Sequence, residues 1–168
     1  FSVASEFTDV EQRPVHAVFG FLNTLMTLLH DEKPTHLAVC FDESLTTSFR
    51  NRLYPPYKAN RELPPADLAA QFDYCKQLCR ALGLRVLVDG EYEADDLAGS
   101  ALHVLRAQGY RGVLITGDKD FSQLVGEHDL IFDVTRKERT DAAAVKRKYG
   151  IRPEQFADYL ALMGDAVD

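Results

Sequence analysis

Apolar side chains recur along the chain with helical spacing in some segments and form short unbroken runs in others. The short runs read as buried strands and lie at 36–41, 85–88, 113–116 and 130–134. Helical segments are predicted at 15–29, 65–82, 93–108, 118–124, 140–149 and 153–163. Strands that alternate with helices imply right-handed βαβ units. The pattern therefore predicts an α/β fold, with a mostly parallel twisted sheet and helices on both faces.

The same periodicity predicts which side chains of two helices face the core. The inward face of the 65–82 helix is predicted to carry Leu68, Phe72, Cys75, Leu78, Cys79 and Leu82. That of the 93–108 helix is predicted to carry Leu97, Ala101, Val104 and Leu105. Cys75 and Cys79 lie one helical turn apart, and no other Cys or His cluster completes a metal site with them. Core packing is therefore the favoured interpretation of both thiols.

Length and composition suit a soluble domain that forms its own core. The chain has 168 residues, 46% of them hydrophobic, which is the size of one ordinary domain, so we expect a single domain over residues 1–168. Its 3 cysteines are an odd number at scattered apolar positions, which favours a reducing compartment over a disulfide framework. No apolar run is long enough to cross a bilayer, and the N-terminus has no leader pattern. We expect a cytoplasmic protein that does not contact a membrane.

The segment from Ser44 to Pro65 interrupts the alternation of strands and helices. Prolines at 55, 56, 64 and 65 break it, and neither a helix nor a strand is predicted there. Its basic residues Arg50, Arg52, Lys58 and Arg61 alternate with aromatic residues, and no acid lies between 46 and 61. Cations that contact phosphates beside rings that stack on bases suit single-stranded nucleic acid. The alternative interpretation is a solvated loop anchored by its aromatic side chains.

Acidic residues follow three of the four predicted strands and the last predicted helix. They are Asp42, Glu93, Asp95, Asp96, Asp118, Asp120, Asp165 and Asp168. In an open parallel sheet the ligand crevice lies outside the carboxyl ends of the strands. Carboxylates brought together there repel one another unless hard cations such as Mg²⁺ neutralise them. Taken alone, Asp42 is as consistent with a turn or helix cap, and acids that begin the 93–108 helix also complement its dipole.

These carboxylates suit phosphoryl transfer assisted by two metal ions. No Ser, Cys or His with a partnering base offers a nucleophile, whereas paired ions activate water and stabilise the leaving oxygen. The formal net charge of −7 alone argues against a nucleic-acid partner. A metal site would partly cancel the clustered acids, however, and the basic segment provides a positive surface. The predicted substrate is a phosphodiester of DNA or RNA.

Five motifs occur in an order that resembles a known family. They are Pro-Thr-His-Leu-Ala-Val-Cys-Phe-Asp, Phe-Arg-x5-Pro-Tyr-Lys-Ala-Asn-Arg, Glu-Ala-Asp-Asp, Thr-Gly-Asp-Lys-Asp and Leu-Ala-Leu-Met-Gly-Asp-x-x-Asp. In this order and spacing they resemble the N-terminal domain of the bacterial 5′-3′ exonucleases, the flap endonuclease family that includes the nuclease part of DNA polymerase I. The resemblance covers residues 15–168 and implies a PIN-like, resolvase-like α/β fold.

The resemblance also implies roles for individual residues. It assigns Asp42, Glu93, Asp95 and Asp96 to a first metal cluster and Asp118, Asp120, Asp165 and Asp168 to a second. The segment from Ser44 to Pro65 corresponds to a basic arch, in which Lys58 and Arg61 grip the scissile phosphate and Arg50 adds a further cation. Tyr57 matches an aromatic residue on which a terminal base stacks. Lys58, Arg61 and Asp96 are the catalytic candidates.

The implied reaction is hydrolysis of DNA from a 5′ end or at a 5′ flap, in replication and repair. It depends on two or more Mg²⁺ or Mn²⁺ ions and extends to RNA in a hybrid. A monomer is expected. The family pattern begins with a strand ending in Asp-Gly and continues into a helix-hairpin-helix element, and neither is present in residues 1–168. We therefore expect the chain to be a fragment of a longer nuclease.

Two alternatives remain open from the sequence. A toprim-like nucleotidyl-transfer domain also places a Glu and an Asp-x-Asp at parallel strand ends, but it leaves Asp42, the basic segment and the final Gly-Asp-x-x-Asp without a role. A non-catalytic nucleic-acid-binding module of the same fold is the second. The retained acids disfavour it, because mutually repelling carboxylates without a ligand reduce stability.

Overall fold

The computed structural model describes residues 7–43 and 46–164 of the chain. Its helices are α1 (His16–Glu32), α2 (Phe49–Leu53), α3 (Ala66–Ala81), α4 (Ala94–Arg106), α5 (Ala142–Tyr149) and α6 (Phe156–Met163). Its strands are β1 (Ala38–Cys40), β2 (Arg85–Leu87), β3 (Val113–Ile115), β4 (Leu130–Asp133) and β5 (Glu138–Asp141). Short 3-10 helices span Lys119–Leu124 and Pro153–Gln155. No helix in these residues is long and apolar enough to cross a membrane.

The chain divides into two compact units, residues 1–94 and 95–168. In the first unit β1 and β2 pair in parallel, with Ala38 opposite Arg85. Helix α1 packs on α3, and α3 packs on β2. The carboxyl ends of the two parallel strands therefore lie at one edge, from which residue 42 and the segment after 87 continue. The prediction of one domain over residues 1–168 stays a prediction.

A buried glutamine links the two long helices of the first unit. Helix α1 has no side-chain cap of its own at Val15. Instead, the backbone N–H of Ala17 donates to Gln71 Oε1 on α3 at 2.7 Å. Gln71 is 1% exposed, so this bond satisfies both a buried side chain and a helix-end N–H that lacks an intrahelical partner. It fixes where α1 begins against α3.

Helix α3 supplies the buried thiols of this unit and ends at a left-handed glycine. Cys75 and Cys79 are 4% and 0% exposed, which confirms their prediction as core residues. Gly83 has φ +73°, and the N–H groups of Gly83 and Leu84 bond back to carbonyls of the last helical turn. Glycine takes this conformation without the steric cost that a Cβ adds. The turn leads directly into β2.

The second unit contains a three-stranded sheet in which β4 is central. β3 pairs with β4 in parallel, and β4 pairs with β5 antiparallel. Helix α5 packs on β5, and α6 packs on the 3-10 helix Lys119–Leu124. Phe156 and Val145 are both 0% exposed and lie in the core. This sheet presents the end of β3, and hence the Thr-Gly-Asp-Lys-Asp turn, at the carboxyl edge.

A buried aspartate organises the loop before β4. Asp129 is 3% exposed and accepts backbone hydrogen bonds from Gly112 at 2.7 Å and Gly126 at 3.1 Å. Arg106, near the end of α4, also bonds to its carboxylate. An ionised carboxylate is tolerated inside a protein when it is paired and hydrogen-bonded in this way. The network ties α4 and the start of β3 to β4.

The α/β class and the order of elements are confirmed, and three details of the prediction are wrong. Among the described residues the strands form two sheets rather than one, although two of their three pairings are parallel. Strand β5 was not predicted, and its last two residues were assigned to the helix predicted at 140–149; α2 lies in a segment predicted to contain no helix. Ser48 caps α2 by accepting from the N–H of Arg50, which starts a helix despite the prolines that follow.

The predicted inward faces of two helices are also partly wrong. On α3, Phe72 is 43% exposed, and Leu82, directly after the end of this helix, is 45% exposed. On α4, Val104 is 55% exposed, whereas Leu102 is 7% exposed. The Leu102 side chain lies where a Cβ on Gly112 would be, so the absence of a side chain at Gly112 makes the space that buries it. Such room depends on tertiary contacts that the helical period does not describe.

Candidate metal and nucleic-acid site

Asp42 leaves the carboxyl end of β1 and meets the start of α4. Its Oδ1 accepts a hydrogen bond of 2.7 Å from the backbone N–H of Ala94, the first residue of that helix. The N–H groups of a first helical turn lack intrahelical partners, and a carboxylate there also complements the helix dipole. Asp42 thus lies beside the segment that carries Glu93, at the edge where the parallel strands β1 and β2 end.

Glu93 is the most enclosed of the predicted metal ligands that the structure describes, with 5% of the residue exposed. Its Oε2 accepts from Lys58 Nζ at 2.6 Å and from the Tyr57 hydroxyl at 3.1 Å. The Lys58 and Glu93 side chains are only 12% and 6% exposed. The structure therefore brings together three predicted site residues that lie 35 and 36 positions apart in sequence.

The environment of Glu93 changes the proton affinity of both partners. Burial opposes the charge of Lys58, but hydrogen bonds to Glu93 and Tyr57 and attraction to Glu93 outweigh it and raise the pKa of Lys58. Burial is the main cause that raises the pKa of Tyr57, although Lys58 opposes it. Lys58 therefore carries its charge at neutral pH. Tyr57 stays protonated, and its hydroxyl donates a hydrogen bond to the Glu93 carboxylate.

Other residues of the 46–65 segment fasten it to the loop before α4. The N–H of Phe49 donates to the Glu91 carbonyl at 3.0 Å, and the rings of Phe49 and Tyr92 lie 5.6 Å apart. Asn51 Nδ2 donates to the Tyr57 carbonyl at 2.9 Å, so α2 holds the turn that carries Tyr57 and Lys58. The sequence analysis assigned no role to Asn51 or Glu91. Asn51 is a variable position inside the second motif, and Glu91 lies just before the third.

Arg50 and Arg61 flank the same turn. The Arg50 guanidinium lies 4.7 Å from the centre of the Phe49 ring and 6.0 Å from that of Tyr57, within the range of cation–π attraction. Arg61 is exposed, and its backbone N–H donates to the Lys58 carbonyl at 3.0 Å. Arg50, Tyr57, Lys58 and Arg61 thus occupy one short stretch of the first unit, with aromatic faces beside cations.

In the second unit Asp118 follows β3 and starts the turn predicted from the sequence. Its Oδ1 accepts from the N–H of Asp120 at 2.9 Å and caps the 3-10 helix Lys119–Leu124. Along α4, Asp95 Oδ1 accepts from the N–H of Asp96 at 2.7 Å. Asp133 is a further carboxylate, at the end of β4, and it was not predicted. It accepts from the N–H groups of Thr135 and Arg136 and so stabilises the β4–β5 turn.

The structure does not gather three metal-ligating side chains in one place within residues 7–43 and 46–164. Asp165 and Asp168 lie outside the described residues, so the complete predicted set is untested. The chemistry of the set nevertheless fits a hard divalent cation, since every predicted donor is a carboxylate and none is a thiol or an imidazole. The metal assignment of all eight residues stays a prediction.

Comparisons with known proteins agree with the fold and the motifs. A family model described as the 5′-3′ exonuclease N-terminal resolvase-like domain matches residues 1–150. DNA polymerase I of Mycobacterium bovis is 42% identical over 157 residues, which cover 91% of this chain and 17% of that protein. The chain therefore spans less than a fifth of this relative.

Solved structures share the fold, two T5 proteins among them. A T5 protein co-crystallised with metal ions matches with a TM-score of 0.74 and 23% identity over 88% of this chain and 59% of that one. A bacteriophage T5 flap endonuclease, in a pseudo-enzyme-product complex with DNA and metal ions, matches with a TM-score of 0.69 and 22% identity, covering 88% and 58%. The family model confirms the resemblance seen in the motifs, and the chain belongs to the family of 5′-3′ exonuclease N-terminal resolvase-like domains.

Proposed function

We propose that this chain is the catalytic part of a metal-dependent nuclease that cuts DNA from a 5′ end or at a 5′ flap, in replication and repair. The observation that carries the proposal is the meeting of Lys58 and Tyr57 with Glu93. A basic and aromatic segment suited to a DNA strand adjoins a carboxylate suited to a metal ion. Family membership supports the reaction class.

The proposed metal ligands are the eight carboxylates named from the sequence. Divalent ions, Mg²⁺ or Mn²⁺ and at least two of them, supply an activated water and stabilise the leaving oxygen. Asp42, Glu93, Asp95 and Asp96 would hold one ion, and Asp118, Asp120, Asp165 and Asp168 another. The related T5 structures were obtained with metal ions, which supports a metal requirement.

The proposed DNA contacts lie in the segment from 46 to 65. Lys58 and Arg61 contact the phosphate that reacts, and Arg50 contacts a neighbouring phosphate. Positive charge placed where negative charge develops lowers the barrier. Tyr57 offers its ring to a terminal base, while its hydroxyl orients Glu93 through the 3.1 Å hydrogen bond. The Tyr57 ring would thus face the DNA strand, while its hydroxyl faces Glu93.

The substrate is DNA with a 5′ end or flap, and RNA in a hybrid is a second substrate. The T5 flap endonuclease complex contains DNA, which supports DNA as the partner. We propose that the protein acts as a monomer in the cytoplasm. Every phosphate contact named above comes from one chain, so no second copy is needed to complete the set.

Cleavage of a flap substrate tests the proposal. A duplex with a 5′ flap, labelled once at the 5′ end and once within the duplex, is incubated with full-length protein in Mg²⁺ or in EDTA. We expect products cut at or near the flap junction in Mg²⁺ and none in EDTA. Equal cutting of a matched 3′ flap, or cutting that persists in EDTA, would contradict the proposed activity.

A further inference from the structure

One oxygen of Glu93 receives two donors from the same turn. Oε2 lies 2.6 Å from Lys58 Nζ and 3.1 Å from the Tyr57 hydroxyl. The Lys58 ammonium also lies 5.1 Å from the centre of the Tyr57 ring. A carboxylate that binds a divalent ion offers the same oxygen lone pairs to that ion. Lys58 therefore lies where its ammonium group would repel a metal ion bound to Glu93.

The backbone holds Lys58 in this position under strain. Lys58 has φ +54°, a left-handed conformation that a side chain with a Cβ seldom adopts. The turn is kept in place by Asn51, which donates to the Tyr57 carbonyl. Strained residues persist only where surrounding contacts determine them, and they cluster at functional switches. Loss of the bond to Glu93 would remove one of the contacts that oppose relaxation at Lys58.

We propose that the Lys58 ammonium and a divalent cation compete for the Glu93 carboxylate, so that metal binding releases Lys58 to contact a DNA phosphate. The inference rests on the proposed function, because it takes Glu93 as a metal ligand and Lys58 as a phosphate contact. A divalent ion placed at Glu93 repels the ammonium, which lies 2.6 Å from the same carboxylate. A phosphate, in turn, offers the displaced ammonium an anionic partner.

The competition makes metal and DNA binding cooperative. Before metal binds, a DNA phosphate has to draw Lys58 away from a buried carboxylate, which leaves that charge without its partner. With metal bound, the carboxylate is neutralised and Lys58 is available. Each ligand therefore increases the affinity for the other, as any coupling between two sites must.

Acylation of lysines, read residue by residue by mass spectrometry, tests the release of Lys58. Full-length protein is treated briefly with an amine-reactive acetyl ester in EDTA or in millimolar Mn²⁺, without DNA. Lys76 is the matched control, since its side chain is 10% exposed and bonds to Glu43 and Asp73. We expect Mn²⁺ to increase the acetylation of Lys58 about tenfold, which corresponds to a free-energy difference of about 1.4 kcal/mol. The acetylation of Lys76 should not change.

A titration of Mn²⁺ on the same samples separates the possible failures. If Mn²⁺ binds and Lys58 acetylation does not rise, the competition is wrong while the proposed function stands. If Mn²⁺ does not bind to folded protein, both fail. Glu93→Gln provides a second check, since acetylation of Lys58 should be high without metal and unresponsive to it. A rise at Lys76 in that variant would indicate unfolding, and the comparison of wild-type protein with and without Mn²⁺ then decides alone.

Discussion

Asp42 Oδ1 accepts a 2.7 Å hydrogen bond from the backbone N–H of Ala94, so the carboxylate that ends β1 caps the helix that begins after Glu93. The relationship gives Asp42 a structural role beside its proposed metal role. Both interpretations of this residue that the sequence left open are consistent with the structure, because one oxygen serves the helix and a second oxygen remains on the same carboxylate.

The two roles of Asp42 can be separated by two substitutions. Asp42→Ala removes the cap and should lower the free energy of unfolding by about 1 kcal/mol. Asp42→Asn keeps an oxygen that accepts from Ala94 and should be as stable as wild type in EDTA. The asparagine variant should nonetheless lose most of the stabilisation by Mn²⁺. Without the carboxylate the protein binds Mn²⁺ more weakly, and a ligand that binds more weakly stabilises the folded state less. Thermal melts of both variants, with and without Mn²⁺, measure this.

Asp129 should contribute strongly to the stability of the second unit. Asp129→Ala leaves the N–H groups of Gly112 and Gly126 and the Arg106 guanidinium without their carboxylate. Removal of one partner from such a buried network costs about 2–4 kcal/mol. Glu127→Ala, at an exposed position nearby, should change stability by less than about 0.5 kcal/mol. Denaturant titrations giving equal values for the two variants would contradict the importance of the Asp129 network.

Because the thiol of Cys75 is buried, the free energy of unfolding should decrease as the pH rises above the alkaline pKa of an exposed thiol. Burial, with a smaller contribution from Cys79, raises the pKa of Cys75 to about 11. The folded state therefore retains a proton that the unfolded thiol loses above about pH 8.5. Stability from this thiol is complete below that pH and declines as pH rises toward 11. Denaturation of wild type and Cys75→Ala between pH 8 and 10 measures the difference, and parallel curves would refute the effect.

Lys58 is predicted to act on the reacting phosphate rather than only to attract DNA. Lys58→Ala in full-length protein should reduce single-turnover cleavage at saturating enzyme by about 10²–10³. Arg52→Ala removes the same charge from the same segment, where Arg52 bonds to Glu91, and should retain the wild-type rate when enzyme is saturating. A general electrostatic contact would instead weaken binding and reduce its salt dependence. If Lys58→Ala cleaves at the wild-type rate when enzyme is saturating, Lys58 only attracts DNA and does not act on the reacting phosphate.

The sequence was sufficient to predict the elements whose burial follows a simple period. Helices α1 and α3 and strands β1 and β2 fall where the apolar pattern placed them. Strand β5 was missed because its sequence, Glu-Arg-Thr-Asp, has no apolar alternation. It forms by pairing with β4 across a four-residue turn, which is a tertiary effect. Local period alone does not describe such pairing.

The candidate site was predictable in its residue types and only partly in its contacts. The motifs identified Lys58, Tyr57 and Glu93, but no spacing rule predicts that one oxygen of Glu93 receives both other side chains. Their meeting depends on how the segment around α2 folds back on the loop before α4. The burial of Glu93 was likewise unexpected, since acidic residues that begin a helix are usually exposed.

The central claim is that the acidic residues hold metal for DNA hydrolysis, and the direct test compares cleavage with binding in Asp96→Asn and Asp118→Asn. Full-length wild-type and variant proteins are assayed on one labelled 5′ flap, by single-turnover cleavage in Mg²⁺ and by gel shift in Ca²⁺. We predict that each variant loses nearly all cleavage while its affinity for the flap stays within about threefold, or about 0.7 kcal/mol. Wild-type cleavage by both variants, or loss of binding equal to the loss of cleavage, would contradict the account.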